Sequence, residues 1–251
     1  MSDVNSAADA VARGGGFSTI ARRVPAGPDA SGIKLEWAEG KPCIPQLENR
    51  VVYAAVKRCL DVALGLLAVV FLAPLLVIIA VMISATSKGP PLFVQPRVGR
   101  GGRSFNLVKF RTLHIEDADP SGIRQTTCND ERITWLGRYL RRTSFDELPQ
   151  LWNVIRGDMS IVGPRPHVEN MLAGGTSYRT LVPYYDDRLV VRPGLTGWAQ
   201  ANGFRGPTDN PDMARARIDH DIAYIQQMSL WLDLTIILRT IRRELGGGTG
   251  S

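Results

Sequence analysis

Residues that build metal clusters or disulfide frameworks are scarce in this sequence. Its 251 residues include three cysteines and three histidines. Cys43, Cys59 and Cys128 have neither metal-ligand spacing nor an even number, so we expect free thiols in a reducing compartment. The histidines are equally scattered, which argues against a zinc site.

The first 46 residues lack a repeating apolar pattern. They are rich in Gly, Ala, Ser and Pro, as in Gly14-Gly15-Gly16, and contain no hydrophobic stretch of the kind found in a secretion signal. We therefore predict a disordered arm over residues 1–46. The glycine-rich residues 246–251 predict a flexible tail.

Acidic residues are outnumbered. The chain has 30 Lys and Arg against 24 Asp and Glu, a net charge of +6. Such an excess suits anionic partners, whether phospholipid headgroups, nucleotides or nucleic acid. No nucleic-acid recognition module is visible and the cations surround an apolar segment, so we expect no nucleic acid among the partners.

Charge is absent from the 26 positions between Asp61 and Lys88. A helix over these residues is long enough to cross a hydrocarbon core of about 30 Å. Pro74, near the middle, removes one backbone hydrogen bond and predicts a kink or break. Each half would then measure about 18 Å, which is too short to cross alone.

Basic residues flank this apolar segment on both sides, whereas a spanning helix usually has a cationic excess on one side. We therefore predict a re-entrant membrane helix over residues 47–88 that enters one leaflet, with a kinked span as the alternative. The flanking cations are Arg50, Lys57 and Arg58 before the segment, and Lys88, Arg97, Arg100, Arg103, Lys109 and Arg111 after it.

Residues 89–245 predict a cytoplasmic catalytic domain of α+β class that is mostly helical. Short strands at 91–95 and 104–110, joined by a glycine turn, indicate a small β-hairpin. Helical spacing is visible at 133–140, 148–155 and 214–245. Residues 228–238 are unusually apolar, which suits either core packing or an interfacial amphipathic helix whose basic end lies on headgroups.

Two adjacent carboxylates, Asp146 and Glu147, follow a pair of arginines and precede a helical pattern. Ser144 with Glu147 three residues later has the form of a capping box, which is the ordinary explanation of such residues. The alternative is phosphate chemistry at a bilayer surface.

Further motifs decide between these alternatives. The chain resembles the bacterial sugar transferase family, the monotopic phosphoglycosyl transferases that start exopolysaccharide and glycan assembly, from about Val56 to Thr240. The motifs that carry the resemblance are Lys57-Arg58-Cys59-Leu60-Asp61, Lys109-Phe110-Arg111-Thr112, Leu140 to Gln150, Gly157-Asp158-Met159-Ser160, Val162-Gly163-Pro164-Arg165-Pro166 and Pro193 to Gln200.

The resemblance implies transfer of a sugar 1-phosphate, with hexose as our expectation, from a UDP-sugar to undecaprenyl phosphate, with release of UMP. It implies that Asp146 is the nucleophile of a covalent aspartyl-phosphosugar and that Glu147 holds Mg²⁺. Mg²⁺ prefers oxygen ligands and bridges carboxylates to substrate phosphates. Asp158 is a second candidate metal ligand. Direct attack by the polyprenyl phosphate remains the alternative route.

Cations are needed to offset repulsion between a carboxylate and a diphosphate, and arginine forks suit phosphate oxygens. The chain departs from the family pattern at Leu113, where Met is usual, and before Pro193, where the family commonly has an Arg-His pair and a Lys. The contacts of that last segment therefore stay open. The candidate phosphate ligands are Lys109, Arg111, Arg141, Arg165, Arg188 and Arg192.

The expected location is the inner membrane, with the catalytic domain on the cytoplasmic face, where nucleotide sugars and the headgroup of the lipid acceptor meet. The phospholipid membrane is thus a partner, and a homodimer stays open. A non-catalytic basic scaffold of a polysaccharide synthesis complex is the alternative function.

Overall fold

The computed structural model describes residues 20–23, 34–38, 40–117, 130–206 and 208–245. In chain order the strands and α-helices are β1 (Ile20–Arg23), β2 (Lys34–Ala38), β3 (Lys41–Pro42), α1 (Val51–Thr86), β4 (Leu92–Val98), β5 (Ser104–Phe110), α2 (Trp135–Arg142), α3 (Leu151–Arg156), β6 (Ser160–Val162), β7 (Leu172–Ala173), β8 (Thr176–Ser177), α4 (Tyr178–Leu181), β9 (Gly194–Thr196), α5 (Trp198–Ala201), α6 (Pro211–Gln227) and α7 (Leu230–Leu245). The helical α+β prediction is confirmed.

Helix α1 is one element of 36 residues that continues through Pro74. The prediction at Pro74 is a kink or a break: the break is wrong, the kink stays a prediction, and the structure does not confirm the re-entrant prediction. The helix is long and apolar enough to cross a membrane. One narrow stripe, including Asp61, Gly65, Ile79 and Ile83, is buried against the rest of the chain. The other faces are exposed, and Phe71 is 81% exposed.

Hydrogen bonds hold one end of this stripe, and apolar packing holds the other. Near the start, Arg58 Nη1 donates to Val154 O at 2.6 Å, and Ile161 N donates to Asp61 Oδ1 at 3.0 Å. Near the end, Ile79 and Ile83 pack into a cluster with Phe110, Leu136 and Leu140. The body thus contacts α1 at two places, around Arg58 to Gly65 and around Ile79 to Ile83.

Strands β4 and β5 form the predicted antiparallel hairpin, with Leu92 opposite Phe110 and Val98 opposite Ser104. Helix α3 ends at Arg156, and Gly157 forms its left-handed C-cap with a φ of 96°. The predicted helix over 214–245 is two helices, because the chain turns at Met228 and Ser229 between α6 and α7.

Two motifs of the sequence, Val162 to Pro166 and Pro193 to Gln200, meet where β6 pairs with β9 in parallel. Their backbones lie unusually close, because a Cβ on Gly194 would be 2.1 Å from Gly163 N and one on Gly163 would be 2.5 Å from Arg192 O. Glycine at both positions is therefore required for this approach. The close pairing fixes the path of the loop that carries Arg165.

The main core lies around α6, where Ile218, Ile222 and Ile225 are fully buried. Strand β2 packs on this core through Leu35, and Gln226 bonds to the backbone of Glu36 on both sides. Strands β1, β2 and β3 form one sheet, so the predicted disordered arm is wrong for Ile20–Arg23, Lys34–Ala38 and Lys41–Pro42. Residues 1–19 and 24–33 and the predicted tail at 246–251 lie outside the described residues, as does Cys128.

Helix α7 has one buried face and one exposed apolar face. Ile236 is fully buried, whereas Trp231 is 77% and Leu238 is 58% exposed. Core packing therefore accounts for the buried face of α7, and an interfacial position of its exposed apolar residues stays a prediction. The buried Asp233 ties it to α1 by accepting from Tyr53 and Lys57, both at 2.9 Å.

Candidate active site

The carboxylate pair lies on a short 3₁₀ turn, Phe145–Gln150, between α2 and α3. Ser144, just before it, has φ 55° and makes no capping hydrogen bond. The predicted capping box is therefore not formed, because the left-handed Ser144 directs its hydroxyl elsewhere. A non-glycine residue at positive φ is a strained arrangement that the surrounding structure must hold.

Asp146 is buried, with 8% of its surface exposed. Burial, followed by the neighbouring charge of Glu147, raises the pKa of Asp146 to about 6, although Lys109 and Arg141 oppose that rise. Lys109 comes from β5 and Arg141 from the end of α2. The charges of these two predicted phosphate ligands therefore act on the Asp146 carboxylate.

Lys109 and Arg141 are themselves held in place. Burial lowers the pKa of Lys109 to about 8, with Asp146 acting in the opposite direction, and the ammonium lies 5.3 Å from the centre of the Phe93 ring. Arg141 Nε donates to Thr112 Oγ1 at 2.8 Å. This bond fixes one edge of the planar guanidinium, whose charge acts on Asp146.

Glu147 forms a bidentate pair with Arg165. Arg165 Nη2 donates to Glu147 Oε1 at 2.5 Å and Nη1 donates to Oε2 at 3.2 Å. Burial alone would raise the pKa of Glu147, but the charge and hydrogen bonds of Arg165 lower it overall. The structure thus brings Asp146, Glu147, Lys109, Arg141 and Arg165 into one cluster.

Arg188 lies behind this cluster instead of in it. It is buried with Asp221, and its Nη2 is 2.7 Å from Asp221 Oδ2. The same nitrogen donates to the backbone oxygen of Arg165 at 2.5 Å. Its contacts therefore fix the loop that carries Arg165, and its assignment as a phosphate ligand stays a prediction that this geometry does not favour.

Three other predicted site residues are engaged elsewhere. Arg111 donates to the backbone oxygens of Ser87, Gly89 and Pro90 just after α1. Arg192 Nε donates to Gly157 O at 2.9 Å. Asp158 accepts from Asn153 Nδ2 at 3.2 Å and lies 3.7 Å from Arg156. The structure does not bring these side chains to the carboxylate pair.

Two cations near Glu147 were not selected from the sequence as ligands. Arg205, in the loop after α5, is among the charges that lower the pKa of Glu147. Arg97 of β4 donates to Pro166 O at 3.3 Å and to Gln95 Oε1 at 2.6 Å, beside Arg165. The only local signal in the sequence was the pair of glycines, Gly203 and Gly206, which indicates a tight turn around Arg205.

The oxygens of Asp146 and Glu147 could hold a divalent cation only if a bound substrate supplied further ligands. The described residues contain no group of three or more His, Cys, Asp or Glu side chains that could form a metal cage. Mg²⁺ is commonly held by one or two carboxylates plus substrate phosphates. Asp146 and Glu147 supply that number, but Arg165 already engages both oxygens of Glu147 and must yield one.

The model of a known family, described as bacterial sugar transferase, matches residues 52–247. The chain belongs to the bacterial sugar transferase family. The match includes α1, the hairpin, the carboxylate pair and the Arg165 loop, and it ends beyond α7. The sequence-based resemblance is thereby confirmed.

Individual relatives of this sugar transferase carry related names. It is 48% identical over 195 residues to the "Exopolysaccharide production protein PSS" of Rhizobium leguminosarum bv. phaseoli, covering 78% of this chain and 98% of that protein. It is 46% identical over 197 residues to a UDP-glucose:undecaprenyl-phosphate glucose-1-phosphate transferase of Xanthomonas campestris pv. campestris, covering 78% and 40%.

A third relative differs in the sugar. The UDP-N-acetylgalactosamine-undecaprenyl-phosphate N-acetylgalactosaminephosphotransferase of Aeromonas hydrophila is 39% identical over 196 residues, covering 78% of this chain and 45% of that protein. The sugar transferase thus spans less than half of the two relatives whose names state their substrates. These names and the family indicate an enzyme of phosphoglycosyl transferase type.

Proposed function

We propose that this sugar transferase moves a hexose 1-phosphate from a UDP-sugar, glucose being the first candidate, to undecaprenyl phosphate and releases UMP. This would be the first membrane step of exopolysaccharide or glycan assembly. The observation that carries the proposal is the pair of carboxylates set among Lys109, Arg141 and Arg165 in a family member. The printed substrates of two relatives support the choice of donor and acceptor.

In the first step, a carboxylate oxygen of Asp146 attacks the phosphorus that bears the sugar. The bond from that phosphorus to the bridging oxygen breaks, and UMP leaves with the electron pair. Aspartyl phosphates are established covalent intermediates in other enzymes. Lys109 and Arg141 would offset the repulsion between the buried carboxylate and the diphosphate, and charge-assisted bonds of this kind contribute about 1.5–3 kcal/mol each.

In the second step, an oxygen of undecaprenyl phosphate attacks the same phosphorus and the bond to Asp146 breaks. The product is undecaprenyl-diphosphate-sugar, and the Asp146 carboxylate is regenerated. Direct attack of the acceptor on the donor gives the same products without the covalent step.

Glu147 and Asp146 would together hold Mg²⁺. When bound, the ion would neutralise phosphate charge. Arg165 would then exchange part of its bond with Glu147 for a phosphate oxygen. Its backbone is fixed through Arg188, so this exchange needs only side-chain motion. Asp158 remains a predicted metal ligand without support from its contacts.

We also propose that α1 enters one leaflet without carrying the chain across, so that the catalytic body lies on the cytoplasmic face of the inner membrane. The buried positions of α1 run from Asp61 to Ile83, which is 23 residues or about 33 Å of helix. A helix that crossed the bilayer alone would leave the body at one end. Here the body contacts the helix at both ends of this segment, at Asp61 and Gly65 and again at Ile79 and Ile83.

Single-cysteine labelling tests this topology. In a variant without Cys43, Cys59 and Cys128, Glu48→Cys and Lys88→Cys place one thiol at each end of α1. A membrane-impermeant maleimide should label both thiols in inverted inner-membrane vesicles and neither in intact spheroplasts. Labelling of the two thiols from opposite sides would instead support a spanning helix.

Release of UMP tests the reaction. The protein in nanodiscs is given Mg²⁺, undecaprenyl phosphate and a panel of UDP-sugars that includes glucose, galactose and N-acetylgalactosamine. We expect release that depends on the acceptor and that Asp146→Asn abolishes. Folded protein that releases no UMP with any donor, or an Asp146→Asn variant as active as the wild type, would favour the scaffold alternative.

A further inference from the structure

The loop between α5 and α6 approaches the carboxylate pair from a side that the proposed mechanism has not used. Arg205 lies in this loop, beside Gly203 at φ 90° and Gly206 at φ 88°. Such positive φ values favour glycine, so the tight path of the loop depends on these two residues. The path brings Arg205 close enough to Glu147 for its charge to act there.

Glu244, near the end of α7, holds Arg205 with one carboxylate oxygen and Ser144 with the other. Arg205 Nη1 donates to Glu244 Oε1 in a close ion pair. Ser144 Oγ donates to Glu244 Oε2 at 3.1 Å. Ser144 O in turn accepts from Glu147 N at 3.2 Å. One carboxylate thus connects the arginine to the strained residue that leads into the carboxylate pair.

The guanidinium of Arg205 is not satisfied by these contacts. Its Nε is buried and has no hydrogen-bond partner in the described part of the chain. A buried donor without a partner costs free energy, more so on a charged group. A phosphate oxygen bound beside Glu147 would supply the missing acceptor.

We propose that Arg205 is a further ligand of the substrate diphosphate and that Glu244 is the residue that positions it. This inference rests on the proposed function. The site then has four cations, Lys109, Arg141, Arg165 and Arg205, against two carboxylates. The excess positive charge suits a diphosphate better than a neutral group.

In binding of the UDP-sugar Glu244 acts through Arg205, so its removal should change the KM for the UDP-sugar only while Arg205 is present. We expect Arg205→Gln to raise the KM for the UDP-sugar about 10- to 100-fold, as for loss of a charge-assisted phosphate bond. Glu244→Ala should raise the same KM by a smaller factor. The double variant should be no worse than Arg205→Gln, and Arg205→Lys should recover part of the loss.

Direct binding separates this role from folding. UDP and uridine are titrated into the wild type and each variant by calorimetry, and each melting temperature is recorded. Arg205→Gln should weaken UDP at least 10-fold and leave uridine unchanged. Arg179→Gln is the matched control, because Arg179 pairs with Asp186 on the surface with 46% and 60% of their side chains exposed. Glu244→Gln, which keeps the shape of the side chain and one acceptor oxygen but loses the charge, serves if Glu244→Ala does not fold.

The outcomes distinguish the inference from the proposed function. Equal weakening of UDP and uridine, unchanged UDP affinity in folded Arg205→Gln, or a Glu244→Ala effect that adds fully to that of Arg205→Gln would overturn the inference. If the wild type released no UMP yet bound UDP through Arg205, the proposed function would fail and the binding role of Arg205 would stand.

Discussion

Replacement of Asp221 by asparagine should destabilise the protein through a charge left without its partner. Asp221 and Arg188 are each 2% exposed and lie 2.7 Å apart. Burial raises the pKa of Asp221 even beside Arg188, so desolvation offsets much of the attraction within the pair. The cost of Asp221→Asn therefore comes mainly from an uncompensated Arg188.

Removal of one partner from a buried ion pair costs about 3–5 kcal/mol. Asparagine can still accept one bond from Arg188, so we expect the lower end, about 3 kcal/mol. For a chain of this size that corresponds to a melting temperature about 6–12 °C below the wild type. Tryptophan fluorescence during heating in detergent measures the difference, with Arg179→Gln as an exposed-pair control.

The double variant Arg188→Met/Asp221→Leu separates stability from positioning. It removes both charges, so most of the melting temperature should return, because an apolar replacement of a buried pair is often neutral. It also removes the bond from Arg188 to the Arg165 backbone, so UMP release should stay about 10-fold or more below the wild type. A single variant that melts within about 2 °C of the wild type, or a fully active double variant, would refute this reasoning.

Three further predictions concern the loop contact, a titrating histidine and the membrane helix. Gly194→Ala places a Cβ 2.1 Å from Gly163 N, so the melting temperature should fall by several degrees, and an unchanged value would contradict the close approach. Burial, then the charge of a nearby arginine, lowers the pKa of His167 well below 6.5. The stability that neutral His167 contributes is present above pH 6.5 and is lost as the pH falls below that value. Between pH 6.5 and 5, the melting temperature of His167→Gln should therefore fall less than that of the wild type. An equal fall in both proteins would contradict this prediction. Phe71→Arg puts a charge on the exposed apolar face of α1 and should move protein from the membrane fraction toward the soluble or aggregated fraction, whereas an unchanged distribution would place this face away from lipid.

Much of the candidate site was predictable because its residues lie in dense local motifs. Lys109, Arg141, Arg165 and the two carboxylates were selected from sequence, and the structure places them together. The hairpin and the end of α3 at Gly157 were also predictable, since turn glycines and alternating apolar residues are local signals.

The remaining features depend on contacts between distant parts of the chain. Arg205 pairs with Glu244 at the end of α7, 39 positions later, a contact that no local pattern shows. Local pattern alone predicted a capping role for Ser144, but its φ of 55° and its bond to Glu244 rule that role out. Helix α1 continues through Pro74, although proline locally favours a kink or break.

Two patterns in the sequence misled for the same physical reason. Residues 34–42 are too few and too rich in turn residues to predict stable strands, yet Gln226 of α6 bonds to their backbone. Arg111 follows Lys109 at strand spacing, but β5 ends at Phe110, and the Arg111 guanidinium turns to backbone oxygens beside the end of α1. Spacing alone cannot show which of two neighbouring cations faces a site.

Capture of the covalent intermediate tests the central claim most directly. The protein is incubated with Mg²⁺ and a UDP-sugar labelled at the sugar-bearing phosphate, without acceptor, and the label on the protein is measured. The account predicts stoichiometric labelling of Asp146 that Asp146→Asn lacks and that undecaprenyl phosphate discharges. An unlabelled protein that releases UMP only when both substrates are present would contradict it.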